Sequence, residues 1–245
     1  MNTLKNNVIK AHSIWISDFH LGSVGCQEKK IKQFLEKIQC NHLFLNGDIF
    51  DTVIIKDPNV MKQKFQEIIS QINTLHQEGT KIYLLRGNHD NANDMKLYFK
   101  NITMIDELTY EGLNKKKYLV FHGDQCDMSS IVKSMKLARL GTSFYEWCLS
   151  KRSHSSCHSS HFSKRFKLVI KKILSLLFRY DRKLISYLKD KAVHGVICGH
   201  SHQPIIKTIK NFDYLNSGDW VHHCSYILET ESGEFQLNYW DSATP

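Results

Sequence analysis

The sequence predicts an α/β fold: a parallel βαβ sheet, a second sheet of short strands, and a helical insertion over 128–192. Three observations predict it. Apolar runs of strand length alternate with segments of helical period through the first 90 residues. Five short polar clusters, Asp18-Phe19-His20, Gly47-Asp48-Ile49-Phe50-Asp51, Arg86-Gly87-Asn88-His89-Asp90, His122-Gly123-Asp124 and Gly199-His200-Ser201-His202, each follow a strand-like run. Between residues 128 and 192 the pattern turns helical and strongly basic.

Residues 12–17 form a buried run that ends in Asp18-Phe19-His20. Residues 27–39 carry Ile31, Phe34, Leu35 and Ile38 at helical spacing, and 42–46 is the next short strand, leading into Gly47-Asp48. Residues 58–78 place Phe65, Ile68, Ile69, Ile72 and Leu75 on one face, so one long helix is expected, ending at Gly79. Residues 81–85 are the third strand. In a parallel βαβ sheet the polar residues after each strand gather along the carboxyl edge. Residues 118–121 and 195–198 deliver His122 and then His200 and His202. The alternating runs 205–209, 213–216, 225–229 and 235–239 read as antiparallel strands completing the second sheet. The expected organisation is one domain, 1–245, with a cap at 128–192.

Length and composition exclude several classes. A chain of 245 residues, 42% hydrophobic with only 12 Gly and 3 Pro, is globular rather than disordered. The amino terminus lacks a signal-peptide core, and no run approaches the ~20 apolar residues of a membrane span, so a cytoplasmic protein is expected. Seven scattered cysteines without a CxxC pair argue against a disulfide framework and a cysteine-rich zinc site. The net charge of +9 is local: residues 133–191 hold 15 Lys or Arg against Glu146, Asp181 and Asp190, a balance of +12, and the rest of the chain sums to −3. That segment is expected to meet an anionic partner, whether membrane, lipid phosphate or nucleic acid. Residues 162–192 form a basic amphipathic stretch, read either as a helix packed on the domain with solvated lysines or as one that meets lipid or an anionic membrane surface. The loop holding His154, Cys157, His158 and His161 reads as a Ser-rich connector, with a third metal as the rival reading.

Gathered at one edge, Asp18, His20, Asp48, Asn88, His122, His200 and His202 supply oxygen and nitrogen ligands for two divalent cations, provided Asp48 bridges. The mixed set suits Mn2+ first, with Fe, Zn, Co or Mg as the other candidates, and an anionic phosphoester is the natural guest. His12, His76, His194, His222 and His223 are read as non-ligands, with the last two left open because they follow the Gly218-Asp219-Trp220 turn, a candidate border of the substrate.

The ordered set Asp-x-His, Gly-Asp-x-x-Asp, Gly-Asn-His-Asp, His-Gly-Asp and Gly-His-x-His resembles the calcineurin-like metallophosphoesterases, over residues 18–202. The resemblance implies two mixed sheets sandwiched between helices, a four-layer αββα fold. It implies one cation on Asp18, His20, Asp48 and His202, and a second on Asp48, Asn88, His122 and His200. His89 would serve as proton donor or transition-state stabiliser, Asp51, Asp90 and Asp124 would orient the ligands, and a metal-bridging hydroxide would attack phosphorus. Around these blocks, Gly25-Cys26-Gln27, Gln125-Cys126-Asp127 and Asn216-Ser217-Gly218-Asp219-Trp220-Val221 are similar to bacterial UDP-2,3-diacylglucosamine diphosphatase-like proteins. That likeness implies cleavage of a nucleotide-linked lipid to UMP and a lipid phosphate, within lipid A biosynthesis, by an enzyme peripheral on the inner face of the membrane. The established diphosphatases usually carry Arg where His89 stands. Substrate contacts expected on charge and position are Arg86, Lys164, Arg165, Lys167, Lys171 and Trp220. The rival readings are a phosphodiesterase or nuclease that uses the basic cap for nucleic acid, and a non-enzymatic, metal-stabilised membrane-binding module.

Overall fold

The structure is a computed structural model and describes residues 8–99, 101–126 and 183–241. Contacts divide the chain into two compact units, 1–124 with 192–245, and 125–191. Of the second unit only 125–126 and 183–191 are described, with a helical segment at 183–188. The expected cap at 128–192 therefore lies almost wholly outside the described residues, as do Lys164, Arg165, Lys167, Lys171 and the 154–161 loop.

The first unit holds two mixed sheets, as expected. One has six strands and the other five. In the first, β1 (Ile9–Ile16), β2 (Ile38–Asn46), β3 (Lys81–Leu85) and β4 (Met104–Ile105) run parallel. Next to β1, β10 (Ser225–Glu229) is antiparallel, with β11 (Phe235–Tyr239) outside it. In the second sheet β6 (Lys117–Phe121), β7 (Gly195–Cys198) and β9 (Phe212–Asn216) are parallel, flanked by antiparallel β5 (Glu107–Glu111) and β8 (Ile205–Ile209).

The strand period of two sorts the core. Ile14, Ile16, Leu43 and Leu45 point to the outer face of the six-stranded sheet. There they meet Ile31 and Phe34 of α1 (Glu28–Leu35), Met61 of α2 (Pro58–Lys64), Ile69 and Ile72 of α3 (Gln66–Gln77) and Met95 of α4 (Ala92–Tyr98). The alternate residues meet the second sheet. Trp15 stacks on Phe44 at 4.9 Å and Phe44 on Tyr83 at 4.6 Å, while Tyr110 of β5 stands edge-on to Trp15 and Phe44 at 5.2 and 5.3 Å. Each such pair contributes about 0.5–1.5 kcal/mol beyond the area it buries.

Several expectations are corrected. The helix expected over 27–39 stops at Leu35, because Ile38, Gln39 and Cys40 pair with Ile9, Lys10 and Ala11 and lengthen β2. The helix expected over 58–78 is two, broken at Phe65 (φ −109°, ψ 25°); Met61, Phe65 and Ile69 stay buried across the break, so the apolar stripe hides it. The runs 225–229 and 235–239 join the first sheet rather than the second, since β10 pairs with β1. Four of the five described cysteines, Cys40, Cys126, Cys198 and Cys224, are buried.

Candidate dinuclear metal centre

Every predicted ligand follows the carboxyl end of a strand: Asp18 and His20 after β1, Asp48 after β2, Asn88 after β3, His122 after β6, His200 and His202 after β7. Three neighbouring strands of one sheet and two of the other thus aim at a common crevice. The chain turns back there by left-handed backbone at Asp18 (φ 55°), His20 (48°), Asp48 (53°), His200 (62°) and His202 (53°). Asp and His enter that region more readily than most side chains, and clustered strain of this kind marks functional sites. Gly47 (φ 85°) is required for room as well, because a Cβ would lie 2.6 Å from the His122 ring.

The predicted aspartate and histidine ligands form two groups. Asp18, His20 and His202 converge in one, and Asp48, His122 and His200 in the other. Within the first, His202 Nε2 is 3.0 Å from Asp18 Oδ1 and 3.3 Å from His20 Nε2. Within the second, His122 Nε2 is 3.3 Å from both Asp48 Oδ2 and His200 Nδ1. Asp48 Oδ2 is also 3.7 Å from His20 Nε2, so one carboxylate oxygen faces imidazoles of both groups. Asn88 is exposed on the adjoining turn.

Supporting contacts fix the ligands. His122 Nδ1 donates to Asn46 O at 2.7 Å, His200 N–H donates to Asp18 Oδ2 at 2.9 Å, and His89 N–H donates to Asp48 Oδ1 at 2.8 Å. Asp51 lies between two rings, with Oδ2 3.4 Å from His20 Nδ1 and Oδ1 accepting from His89 Nδ1 at 3.1 Å. Asp90 holds the turn instead, accepting from Phe50 N–H at 2.9 Å and Gly87 N–H at 3.1 Å. Burial, with Asp48 nearby, pushes the Asp90 carboxyl up to about 7.

The residues fit divalent cations. Asp18 Oδ1 is buried with no aligned hydrogen-bond donor although His202 Nε2 stands beside it, the geometry of two lone pairs converging on an ion. Burial opposes charge on both aspartates, yet His202 and His20 hold Asp18 well below 3.8, and His122 holds Asp48 at about 2. Burial likewise opposes protonation of His20 and His122, yet Asp18, Asp51 and Asp48 raise His20 to about 10, and Asp48 and Asp18 raise His122 to about 10. The carboxylates call for positive charge, and an imidazole proton and a metal ion compete to supply it.

Other predicted residues sit elsewhere. Arg86 Nη2 is 2.6 Å from Asp106 Oδ1 in an exposed ion pair. Trp220, expected to touch substrate, is fully buried between Phe19 and Phe34, 5.8 and 4.8 Å away, so its indole belongs to the core. Asp124 Oδ1 is buried with no hydrogen-bond partner among the described residues. Sequence reasoning missed Asp219. Its carboxylate is fully buried, with Oδ2 2.6 Å from His223 Nδ1 and 3.7 Å from His202 Nδ1. Its only signal was the Gly218-Asp219-Trp220 turn, which placed no side chain.

A two-sheet α/β sandwich that brings aspartates and histidines from five strand ends into one crevice is the frame of a metal-dependent hydrolase. The chain belongs to the calcineurin-like phosphoesterase family, whose profile matches residues 12–204. It is a metal-dependent phosphoester hydrolase with divalent metal ions as cofactors and a phosphorylated substrate. UDP-2,3-diacylglucosamine hydrolase of Aliivibrio fischeri is 23% identical over 92% of this chain and 97% of its own length. The protein of that name from Wigglesworthia glossinidia brevipalpis is 26% identical over 82% of this chain and 84% of its own. Among solved structures, Yfce, a phosphoesterase from E. coli, is 13% identical with a TM-score of 0.46, covering 94% of this chain and 99% of that one. Among the described residues no helix is long and apolar enough to cross a membrane.

Proposed function

We propose that the chain hydrolyses the pyrophosphate of UDP-2,3-diacylglucosamine, or of a related nucleotide-linked lipid, to UMP and a lipid phosphate. The observation that carries the two-metal chemistry is Asp48 Oδ2, set 3.3 Å from His122 and 3.7 Å from His20. Asp18, His20, Asp48 and His202 would hold one cation, and Asp48, Asn88, His122 and His200 the other, with Mn2+ favoured by the oxygen and nitrogen set. Bound cations supply Lewis acidity toward phosphoryl oxygens and lower the pKa of a coordinated water. His89 is anchored at Nδ1 by Asp51, which leaves Nε2 to deliver a proton to the departing phosphate oxygen as water's oxygen bonds to phosphorus. Its ring stands edge-on to His20 with centroids 4.8 Å apart, beside the first ligand group. The substrate assignment is supported by the curated relatives named above, and the basic stretch 162–192 supplies charge for a lipid phosphate or an anionic membrane surface.

Turnover by the Mn2+-loaded chain tests this, with UDP-2,3-diacylglucosamine and a generic aryl phosphodiester as substrates. Hydrolysis of both is expected, and hydrolysis of neither overturns the two-metal chemistry. Turnover of the phosphodiester alone overturns the lipid substrate. His89→Ala is expected to lose about 10²–10⁴-fold in rate while keeping its metal. Asp48→Ala should lose both, and metal loss in the two variants alike would contradict the division of roles.

A further inference from the structure

Asp219 has two oxygens with separate tasks. Oδ1 caps the turn after β9, accepting backbone N–H groups from Val221 at 2.8 Å and His222 at 2.5 Å. Capping needs only that oxygen. Oδ2 is turned the other way, toward the imidazoles of His223 and His202. The turn is itself stitched to the metal crevice, since Trp220 N–H donates to Asp18 O at 3.0 Å and Ser17 Oγ donates to Gly218 O at 3.1 Å. A fully buried carboxylate is therefore held at a fixed place on the far side of His202 from Asp18.

The supports of His20 and His202 differ in charge from that of His122. His20 and His202 each have a carboxylate at the ring nitrogen facing away from the crevice, Asp51 at 3.4 Å and Asp219 at 3.7 Å. His122 has a neutral carbonyl there, Asn46 O. A carboxylate behind a ligating imidazole makes the ring a stronger donor and fixes its orientation. We infer that Asp219 is a positioning residue for His202, and that it and Asp51 make the Asp18, His20, His202 group the tighter of two unequal metal sites. His223 neighbours the same oxygen but is not the route by which Asp219 acts.

The inference rests on the ligand assignment proposed above, which is tested apart from it by whether the wild type binds two Mn2+ and turns over the aryl phosphodiester. Calorimetric titration of the metal-free chain with Mn2+ should resolve a tight and a weak step. Asp219→Asn keeps the Oδ1 acceptor and removes the charge. It should weaken the tight step by about 10–100-fold and leave the weak one unchanged. His223→Gln, which retains a donor toward Asp219, should change neither step. Equal weakening of both steps in Asp219→Asn, no change in either, or the same loss in His223→Gln would overturn the inference. Should Asp219→Asn not fold, the wild type loaded with diamagnetic Zn2+ decides. A downfield, exchange-protected Nδ1–H resonance from His202 supports the anchor, and one exchanging freely with water overturns it.

Discussion

Gly87 has no room for a methyl group: a Cβ there would lie 2.2 Å from both the backbone nitrogen and Oδ1 of Asp48. The contact is with backbone and with a ligand carboxylate, neither of which can swing aside. Gly87→Ala is therefore expected to destabilise the fold by about 1–3 kcal/mol and to displace Asp48 from its place between His20 and His122. Denaturant unfolding beside Mn2+ stoichiometry measures both, and a variant that unfolds and loads like the wild type would refute the close approach. At this scale the sequence was most legible where residue type dictates chemistry. Asp, His and Asn after strands announce ligands, and Asp18, His20, Asp48, His122, His200 and His202 meet as the pattern requires. Asp219 was hidden because its role comes from the direction of one carboxylate oxygen across 17 residues of chain from His202, and residue type alone carries no direction.

Between elements, the two sheets are pinned by a buried polar contact as well as by aromatic packing. Glu229 of β10 is fully buried; its Oε2 accepts from Tyr110 Oη of β5, and its Oε1 accepts from Leu113 N–H at 2.8 Å. Ser13 of β1 joins the same hydroxyl at 2.7 Å. Tyr110→Phe keeps the ring against Trp15 and Phe44 but leaves a carboxylate oxygen unsatisfied, at a cost of about 1–3 kcal/mol. Denaturant unfolding should give a lower midpoint with unchanged slope, and an unchanged midpoint would mean the contact is not formed in solution. None of this network was readable beforehand: Glu107–Glu111 alternates polar and apolar as a strand should, but alternation does not name the partner of a buried hydroxyl. The same limit sent β10 and β11 to the wrong sheet. Alternation identifies a strand and its buried face, whereas its neighbour is decided by pairing, here Ser13 with Glu229 and Trp15 with Ile227. Helical period likewise survived the break at Phe65, because both halves bury one stripe.

For the molecule as a whole, the crevice concentrates buried charge that the fold alone serves poorly. Asp18 is 0% exposed and Asp48 2%, each facing imidazoles that take up protons when no cation is bound. Because the ligands are carried on the ends of strands held by backbone pairing and apolar packing, chelation is expected to weaken the fold without dissolving it. A ligand that binds only the folded state stabilises it by about 2.7 kcal/mol at one hundred times its dissociation constant. For a chain of this size that corresponds to a fall in melting temperature of about 5–10 °C when the metal is stripped. Calorimetry in EDTA should register that fall, circular dichroism should keep its folded signal below the transition, and excess Mn2+ should restore the original midpoint. An unchanged midpoint would mean that the buried carboxylates hold no ion in the folded state. Loss of the folded signal on chelation alone would mean that the strand ends are assembled by the metal rather than presented to it.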